Sequence, residues 1–388
     1  MKKPFRITPL AANNEDATVF VAFELSKATW KLGLVMPGSQ KMSRYTVAGG
    51  DTAAVARLLE AARQKVARRA AGPVRIVSCY EAGYDGFWLH RWLTSQGVVN
   101  RVLDPASIEV NRRRRRVKTD RIDLEKLMRV LLALCRGEPR VCSVAHPPSV
   151  GEEDAKRPHR ERERLVKERG AHTNRIKALL HGQGLRDSNP LATGFVAGLA
   201  KLCTGDGHGL APALLAEIGR EHARLLMLVE QIAVIEAEIL VALRAPTNAT
   251  AAKAAQLTRL KSIGPATAQV LAHELYYRDF ANRRQLGGFT GLTGTPFDSG
   301  QMRREQGIGK AGNARARATL IELAWFWLVH QPDSDLSRWF TRRVGDLKGR
   351  VRKIAIVALA RKLAVALWRY LESGVIPTGA VLKTAPRV

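Results

Sequence analysis

Three things are nearly missing from this sequence: acids to balance its bases, cysteines in pairs, and apolar runs long enough to cross a bilayer. Its 388 residues hold 63 Lys and Arg against 35 Asp and Glu, a formal charge of +28. A chain so short of negative charge selects polyanions, and nucleic acid is the leading one, ahead of an anionic membrane surface. The four cysteines, Cys79, Cys135, Cys142 and Cys203, form no CxxC pair and have no histidine cluster at zinc spacing. That leaves buried or spare thiols in a reducing compartment. The longest clean apolar run, "IAIVALA" at 354–360, falls far short of the roughly 20 residues a spanning helix needs. The opening residues carry lysines but no apolar core of signal-peptide length. The expected location is the cytoplasm, with no membrane partner. No tandem repeat is visible.

What is present is ample material for cores, at 46% hydrophobic residues, and length for two or three domains at roughly 100–200 residues each. "TVFVAFEL" (18–25), "WKLGLVM" (30–36) and "SRYTVAG" (43–49) read as a three-strand meander turning at "PGSQ". A helix over 51–70 follows, then a strand over 74–82 ending at Glu81, a helix over 85–97, a strand over 98–104 and a helix over 120–136. That order describes an α/β layout with mixed strand directions. Residues 137–160 read as a connector, 158–181 as a strongly charged helix, 182–210 as a Gly-rich loop and 211–244 as a long helix. In that long helix Ile218, Leu225, Ile232 and Ile239 recur every seven residues, with Leu228, Ile235 and Ala242 as a companion seam. The pattern fits a coiled coil, and equally a helix packed in a bundle. From 251 the chain is helical again, with a Gly-rich interruption at 287–313.

The stretch "RRRRRVKTDRID" runs Arg112, Arg113, Arg114, Arg115 and Arg116, with Lys118, straight into Asp120 and Asp123. Arginines so dense suit backbone phosphates and make binding salt-dependent; a solvated basic loop is the bland alternative. The two aspartates are three apart and share one helix face. Glu24 ends the first strand and Glu81 the fourth, and in this order of elements those strand ends lie side by side. Four carboxylates that converge repel each other unless cations fill the cluster, and hard oxygen ligands suit Mg²⁺. Such ions clamp the attacking and leaving oxygens of a phosphodiester. Each acid taken singly has an ordinary structural reading, because the helix dipole favours acids in a first turn.

Two further stretches carry chemistry. "LKSIGPATAQVLAHEL" (260–275) resembles a helix-hairpin-helix, whose Gly264 lets a DNA phosphate approach the amides of the second helix; a plain packing corner is the alternative. "TGTPFDSGQMRREQGIGKAGNARAR" (293–317) holds Ser299 amid Arg303, Arg304 and Lys310. Those cations suit a phosphate and the charge that builds during its transfer. A serine in a loop is otherwise most often a turn residue.

Taken together, "FELSKATW", "YEAGYDGFWLHRWL", "VKTDRIDLEKL", "LKSIGPATAQVLA", "GGFTGLTGTPFDSGQMRREQGIGKAGNARAR" and "RKLAVALWRYLESG" resemble the transposases of the IS110 family of insertion sequences, from about residue 18 to 383. The resemblance implies a fold class of α/β plus all-α. Residues 1–140 become an RNase H-like (RuvC-like) nuclease domain with an Asp-Glu-Asp-Asp metal set. Residues 141–250 become a helical, coiled-coil insertion, and 251–388 a helical transposase domain with a helix-hairpin-helix and a catalytic serine. Carried over by position, Glu24, Glu81, Asp120 and Asp123 are the catalytic Mg²⁺ ligands and Ser299 the nucleophile. Glu24 departs from the family's Asp, moving the carboxylate by about one carbon–carbon bond. The resemblance also implies donor and target DNA, a structured guide (bridge) RNA from the element's noncoding end, and a dimer or tetramer, for which the heptad stripe is a dimerisation element. Recombination would pass through a covalent phosphoserine and need no ATP. The competing readings are a metal-dependent, structure-selective nuclease that hydrolyses branched DNA with water, and a non-catalytic nucleic-acid binder with a decayed metal site.

Overall fold

The computed structural model describes residues 17–39, 41–70, 72–108, 120–139, 141–299, 302–310 and 312–383, with backbone alone at 106, 120–121, 297–299 and 302–306. Two compact units make up the chain, one ending at Ser149 and the other beginning at Val150.

In the first unit the order of elements is the one expected from periodicity: β1 (Thr18–Leu25), β2 (Thr29–Val35), β3 (Met42–Ala48), α1 (Thr52–Ala67), β4 (Arg75–Glu81), α2 (Trp88–Ser95), β5 (Val99–Leu103) and α3 (Asp120–Cys135). Asp51 caps α1, its carboxylate accepting from the Ala54 amide, which satisfies one of the helix's orphan donors. The sheet runs β3-β2-β1-β4-β5. β2 is antiparallel to both its neighbours, and β4 is parallel to both of its own. The short turn between β1 and β2 permits antiparallel pairing; the return from β3 through α1 permits β4 to lie parallel to β1.

Period-2 alternation gives the sheet two apolar faces. Val19, Val21 and Phe23 bury with Leu59 of α1 and Leu93 of α2. Ala22, Val77 and Cys79 bury on the opposite side with Leu124, Leu127 and Leu131 of α3. Cys79 donates a weak hydrogen bond to the Leu127 carbonyl at 3.6 Å, and burial pushes its thiol well up. All four cysteines are free. One glycine sets how close α3 lies. A Cβ on Gly33 of β2 would meet Leu124 Cγ at 3.2 Å and Met42 Sδ at 2.6 Å.

The second unit is helical: α4 (Val150–Asp154), α5 (Arg157–His181), α6 (Phe195–Leu199), α7 (Pro212–Arg244), α8 (Ala249–Thr258), α9 (Pro265–Leu271), a π turn (Ala272–Tyr276), α10 (Arg283–Thr290), strands β6 (Gly294–Ser299) and β7 (Met302–Ile308), α11 (Ala314–His330), α12 (Asp335–Val344) and α13 (Arg350–Ser373). The heptad stripe of α7 is filled from within the chain. Leu228, Ile232, Ile235 and Ile239 pack on Leu165 of α5, and Ile218 and Leu225 pack on Ile176 and Leu180 of α5. The pairing is therefore an antiparallel hairpin, and Ala242, at the end of the companion seam, is exposed. The stripe is thus filled from within the chain, while Leu226, Met227, Val234, Leu240 and Val241 of the same helix are exposed.

Two stretches read as loop carry regular structure. Within 182–210, α6 forms because Leu199 has an apolar pocket beside Leu180 and Leu210. Within 287–313, α10 continues to Thr290, Gly291 closes it in the left-handed conformation at φ 65°, and β6 and β7 pair antiparallel. Pro296 is tolerated because this two-stranded ribbon is all edge. The remaining helices enclose a core around Leu257, Leu271, Leu320, Trp327, Leu359, Leu363 and Leu367. Its polar atoms are satisfied: Tyr276 donates to the Ala364 carbonyl at 2.9 Å, and Trp327 Nε1 to Ser334 Oγ at 2.8 Å. Among the described residues no helix is long and apolar enough to cross a membrane.

Gly33→Val forces α3 off the sheet or strains both. We expect it to lower stability by roughly 1–3 kcal/mol in urea unfolding. An unchanged midpoint would contradict this seating of α3.

Candidate functional site

Strand register brings the first two candidate acids together. Phe23 of β1 pairs with Tyr80 of β4, so the next residues, Glu24 and Glu81, leave the ends of adjacent parallel strands. Counting by two from Ala22 and Cys79, which face α3, puts both carboxylates on the α3 side of the sheet. Asp123 lies in the first turn of α3, next to Leu124, the residue seated over Gly33. Glu24, Glu81 and Asp123 accordingly line one cavity of about 910 Å³, together with Asp85, Lys27 and Lys126. The sequence pattern makes Asp85 the first residue of the helix over 85–97; the helix begins at Trp88 and leaves Asp85 in the turn before it, where burial pushes its carboxyl up. Asp120 begins α3, one turn from Asp123, and its side chain is outside the described residues. So are Arg112, Arg113, Arg114, Arg115, Arg116 and Lys118 entirely.

Carboxylates at the ends of two parallel strands and a helix start form a hard-oxygen donor set, the kind Mg²⁺ takes. Among the described residues, no three His, Cys, Asp or Glu side chains converge closely enough to hold a metal ion. What fits Mg²⁺ is the chemistry of the donors, all of them hard carboxylate oxygens.

Ser299 ends β6, where it pairs with Met302 of β7. Arg303 and Arg304 follow on β7, opposite Asp298 and Phe297; for these six residues the backbone alone is described. The base of the ribbon is tightly tied. Gly309 donates to the Thr293 carbonyl at 2.8 Å, Lys310 to the Gly291 carbonyl at 3.2 Å, and Asn313 to the Phe289 carbonyl at 2.8 Å. Lys310 itself adopts the left-handed conformation at φ 54°, and its carbonyl accepts from Arg317 at 2.8 Å. Gly312 has no substitute: at φ +92° its Cβ would lie 2.2 Å from the Phe289 carbonyl oxygen. These ties give "GIGKAGN" its structural role, which is to fix the ribbon carrying Ser299 against α10 and α11.

Asn313 links that base to a buried charge. Its Nδ2 donates to Glu274 Oε2 at 2.9 Å, while its Oδ1 caps α11 by accepting from Ala316. Glu274 lies in the π turn with 3% of its side chain exposed. It also takes Arg160 Nε at 2.7 Å and Nη2 at 3.1 Å, and lies 3.0 Å from His159 Nε2. Burial alone would raise this carboxyl, but hydrogen bonds from His159, Arg160 and Asn313 hold it far below the usual carboxylate range. The neighbouring His273 stacks on His159 at 6.2 Å, and burial holds its imidazole down at about 4. π turns inside helices gather at functional sites, and this one was hidden because its partners lie 39 and 115 residues away in the chain.

Between α8 and α9 the turn carries the candidate Gly264, the N-cap of α9, with Pro265 behind it. A Cβ at Gly264 would enter open space, so no contact within the chain requires glycine there. Ser262, in the same turn, is strained at φ 116°, and its buried hydroxyl has no partner among the described residues.

Residues 254–337, from α8 into α12, match the family model described as the transposase IS116/IS110/IS902 family. Over 385 residues the chain is 45% identical to "Putative transposase y4rJ" of Sinorhizobium fredii, covering 97% of each. It is 29% identical over 221 residues to the transposase for insertion sequence element IS1328 of Yersinia enterocolitica, covering 56% of this chain and 63% of that one. With the transposase for insertion sequence element IS1111A of Coxiella burnetii it shares 26% over 288 residues, 73% and 74% of the two chains.

Because Glu274 titrates lower in the folded state than in the unfolded one, its charge stabilises the fold above the ordinary carboxylate range. That stability is lost as pH falls through that range and below. Glu274→Gln should lower stability at pH 7 by on the order of 3 kcal/mol, and the difference from wild type should shrink below about pH 4. Urea unfolding at several pH values reads this; a difference that stays constant with pH would contradict the role of the charge.

Proposed function

This chain belongs to the IS116/IS110/IS902 family of transposases, and we propose that it cuts and rejoins DNA through a covalent phosphoserine on Ser299, directed by a structured guide RNA. The observation that carries the reading is the shared cavity of Glu24, Glu81 and Asp123 at the ends of parallel strands. The sheet order β3-β2-β1-β4-β5 supports a RuvC-like, RNase H-like first unit. The pair α8 and α9, with Gly264 between them, supports a helix-hairpin-helix that receives a DNA phosphate. The formal charge of +28 supports a partner load of both DNA and RNA, with the arginine run at 112–116 on phosphates.

Glu24, Glu81, Asp120 and Asp123 would hold Mg²⁺, which when bound supplies Lewis-acid stabilisation to phosphodiester oxygens. Ser299 Oγ forms the new bond to phosphorus and loses its proton, while the bond from phosphorus to the leaving DNA oxygen breaks and that oxygen takes up a proton. Arg303, Arg304 and Lys310 offset the charge that builds on the phosphoryl oxygens. The phosphoserine is itself a diester, so the hydroxyl of a new DNA end reverses the attack and restores Ser299 without ATP. A tetramer holding four strands is the assembly this exchange needs.

The carboxylate cavity taken alone favours a second reading, in which water rather than serine attacks and branched DNA is hydrolysed. Trapping separates the two. Wild-type protein with element-end DNA and Mg²⁺ should leave a protein–DNA adduct that survives denaturation, and Ser299→Ala should leave none. Asp120→Asn and Asp123→Asn should each cut Mg²⁺-dependent cleavage by at least about 10²-fold while leaving nucleic-acid binding intact. Cleavage by wild type without any adduct, or by Ser299→Ala at the wild-type rate, would establish the hydrolytic reading instead. RNA extracted from the purified protein should be one defined species; random fragments would contradict the guide.

A further inference from the structure

The second unit has a cleft of about 1040 Å³ between α10, the base of the β6–β7 ribbon and α13. Among the described residues, eight Lys or Arg line it and no Asp or Glu does. Its cations stand in two rows. Arg283, Arg284 and Lys310 form one, on α10 and the ribbon base; Lys353, Arg361 and Arg369 stand along α13 on the other side. On α13 these are eight residues apart, about 12 Å along the axis and about 80° around it at each step, so they wind along the wall of the cleft. Among the described residues none of these six forms an ion pair with a carboxylate. Elsewhere in the unit bases do find acids, as Arg162 does with Glu236 at 2.6 Å and Arg175 with Glu217 at 3.1 Å. Arg361 is held in place by packing: a Cβ on Gly287 of α10 would lie 3.4 Å from its Nε.

Between the rows the floor is aliphatic, with Val357 and Val365 partly covered and Ile354 58% exposed. No aromatic side chain lines the cleft among the described residues, so it offers bases no stacking platform. Cations with no carboxylate partner among the described residues, set around an aliphatic floor, match a sugar–phosphate backbone: the phosphates would take the cations and the sugars the floor. A second copy of this chain is a poor occupant, because it brings its own charge of +28. Lys310, Ile308 and Gly294 belong to the ribbon that ends in Ser299, so an occupant of the cleft is held at the foot of that ribbon.

We propose that this cleft is a sequence-independent cradle for the backbone of the DNA the enzyme cuts. That the occupant is DNA rests on the transposase reading above; that it is a phosphate backbone rests on the cleft. Phosphate contacts carry no sequence information, so the cradle supplies grip and register while selection of the site lies elsewhere.

The test measures binding of full-length protein, with its co-purified RNA, to fluorescein-labelled DNA duplexes of two unrelated sequences, across about 50–200 mM salt. Lys353→Gln with Arg369→Gln removes two exposed charges from one row, and Arg283→Gln removes one from the other. The double variant should weaken binding on the order of tenfold and flatten the slope of log affinity against log salt by about 1.8, the single variant by about 0.9. Both effects should be equal for the two duplexes, with RNA content and melting temperature unchanged. Wild-type affinity and slope in both variants would overturn the proposal, as would loss of the RNA or an effect on one duplex only. The reading as a recombinase fails separately: missing Ser299 adducts leave this binding measurement intact, and intact adducts with unchanged slopes sink the cradle alone.

Discussion

The parallel pairing of β1 with β4 is the contact on which the carboxylate cavity depends. It sets Phe23 against Tyr80 and so releases Glu24 and Glu81 from neighbouring strand ends on one side of the sheet. The third acid arrives only because α3 can lie close over that side, and Gly33 beneath Leu124 permits it. None of these residues is unusual singly. Together they make one strand-end cavity lined by Glu24, Glu81 and Asp123, with Lys27 and Lys126 in the same lining.

A similar logic governs the second unit. The ribbon ending in Ser299 is short and two-stranded, a form with little stability of its own in water. It stays in place because its base is fixed from several directions: Gly312 against the carbonyl of Phe289, Lys310 in a left-handed conformation between Gly291 and Arg317, and Asn313 on the buried Glu274. Glu274 gathers α5, the π turn and α11 around one charge, and removing a single partner from such a group costs more than its presence gains. That gives the arm a defined origin. The same base contributes Lys310 to the row of cations facing α13, so the elements that hold the arm also form one wall of the basic cleft.

Much of this was legible in the sequence, for identifiable reasons. In the first unit, alternating β-branched runs and the acid-capped α1 repeat local rules, so strand order and the partnership of Glu24 with Glu81 follow from period and topology. The heptads of α7 were equally visible, but a period does not name its partner; Leu165, Ile176 and Leu180 of α5 lie in a sequence so charged that it hides its apolar side. The ribbon was obscured by glycines and Pro296, which read as loop, and its register depends on backbone bonds from Thr293 and Gly291 that leave no compositional trace. Glu274 was hidden because it is one acid in an apolar helix. The bases Lys353, Arg361 and Arg369 are legible as the basic face of an amphipathic helix, but that pattern does not name Arg283, Arg284 and Lys310, which line the cleft with them.

The central claim is that the cavity of Glu24, Glu81 and Asp123 exists to hold a divalent cation for work on DNA. The most direct measurement is titration of the full-length protein with Mn²⁺, as a paramagnetic substitute for Mg²⁺, followed by electron paramagnetic resonance. We expect a bound population that Mg²⁺ displaces and that disappears in Glu81→Gln and in Asp123→Asn, with melting temperatures held. Binding that persists unchanged in both variants, or no binding by the wild type with DNA present, would contradict the account.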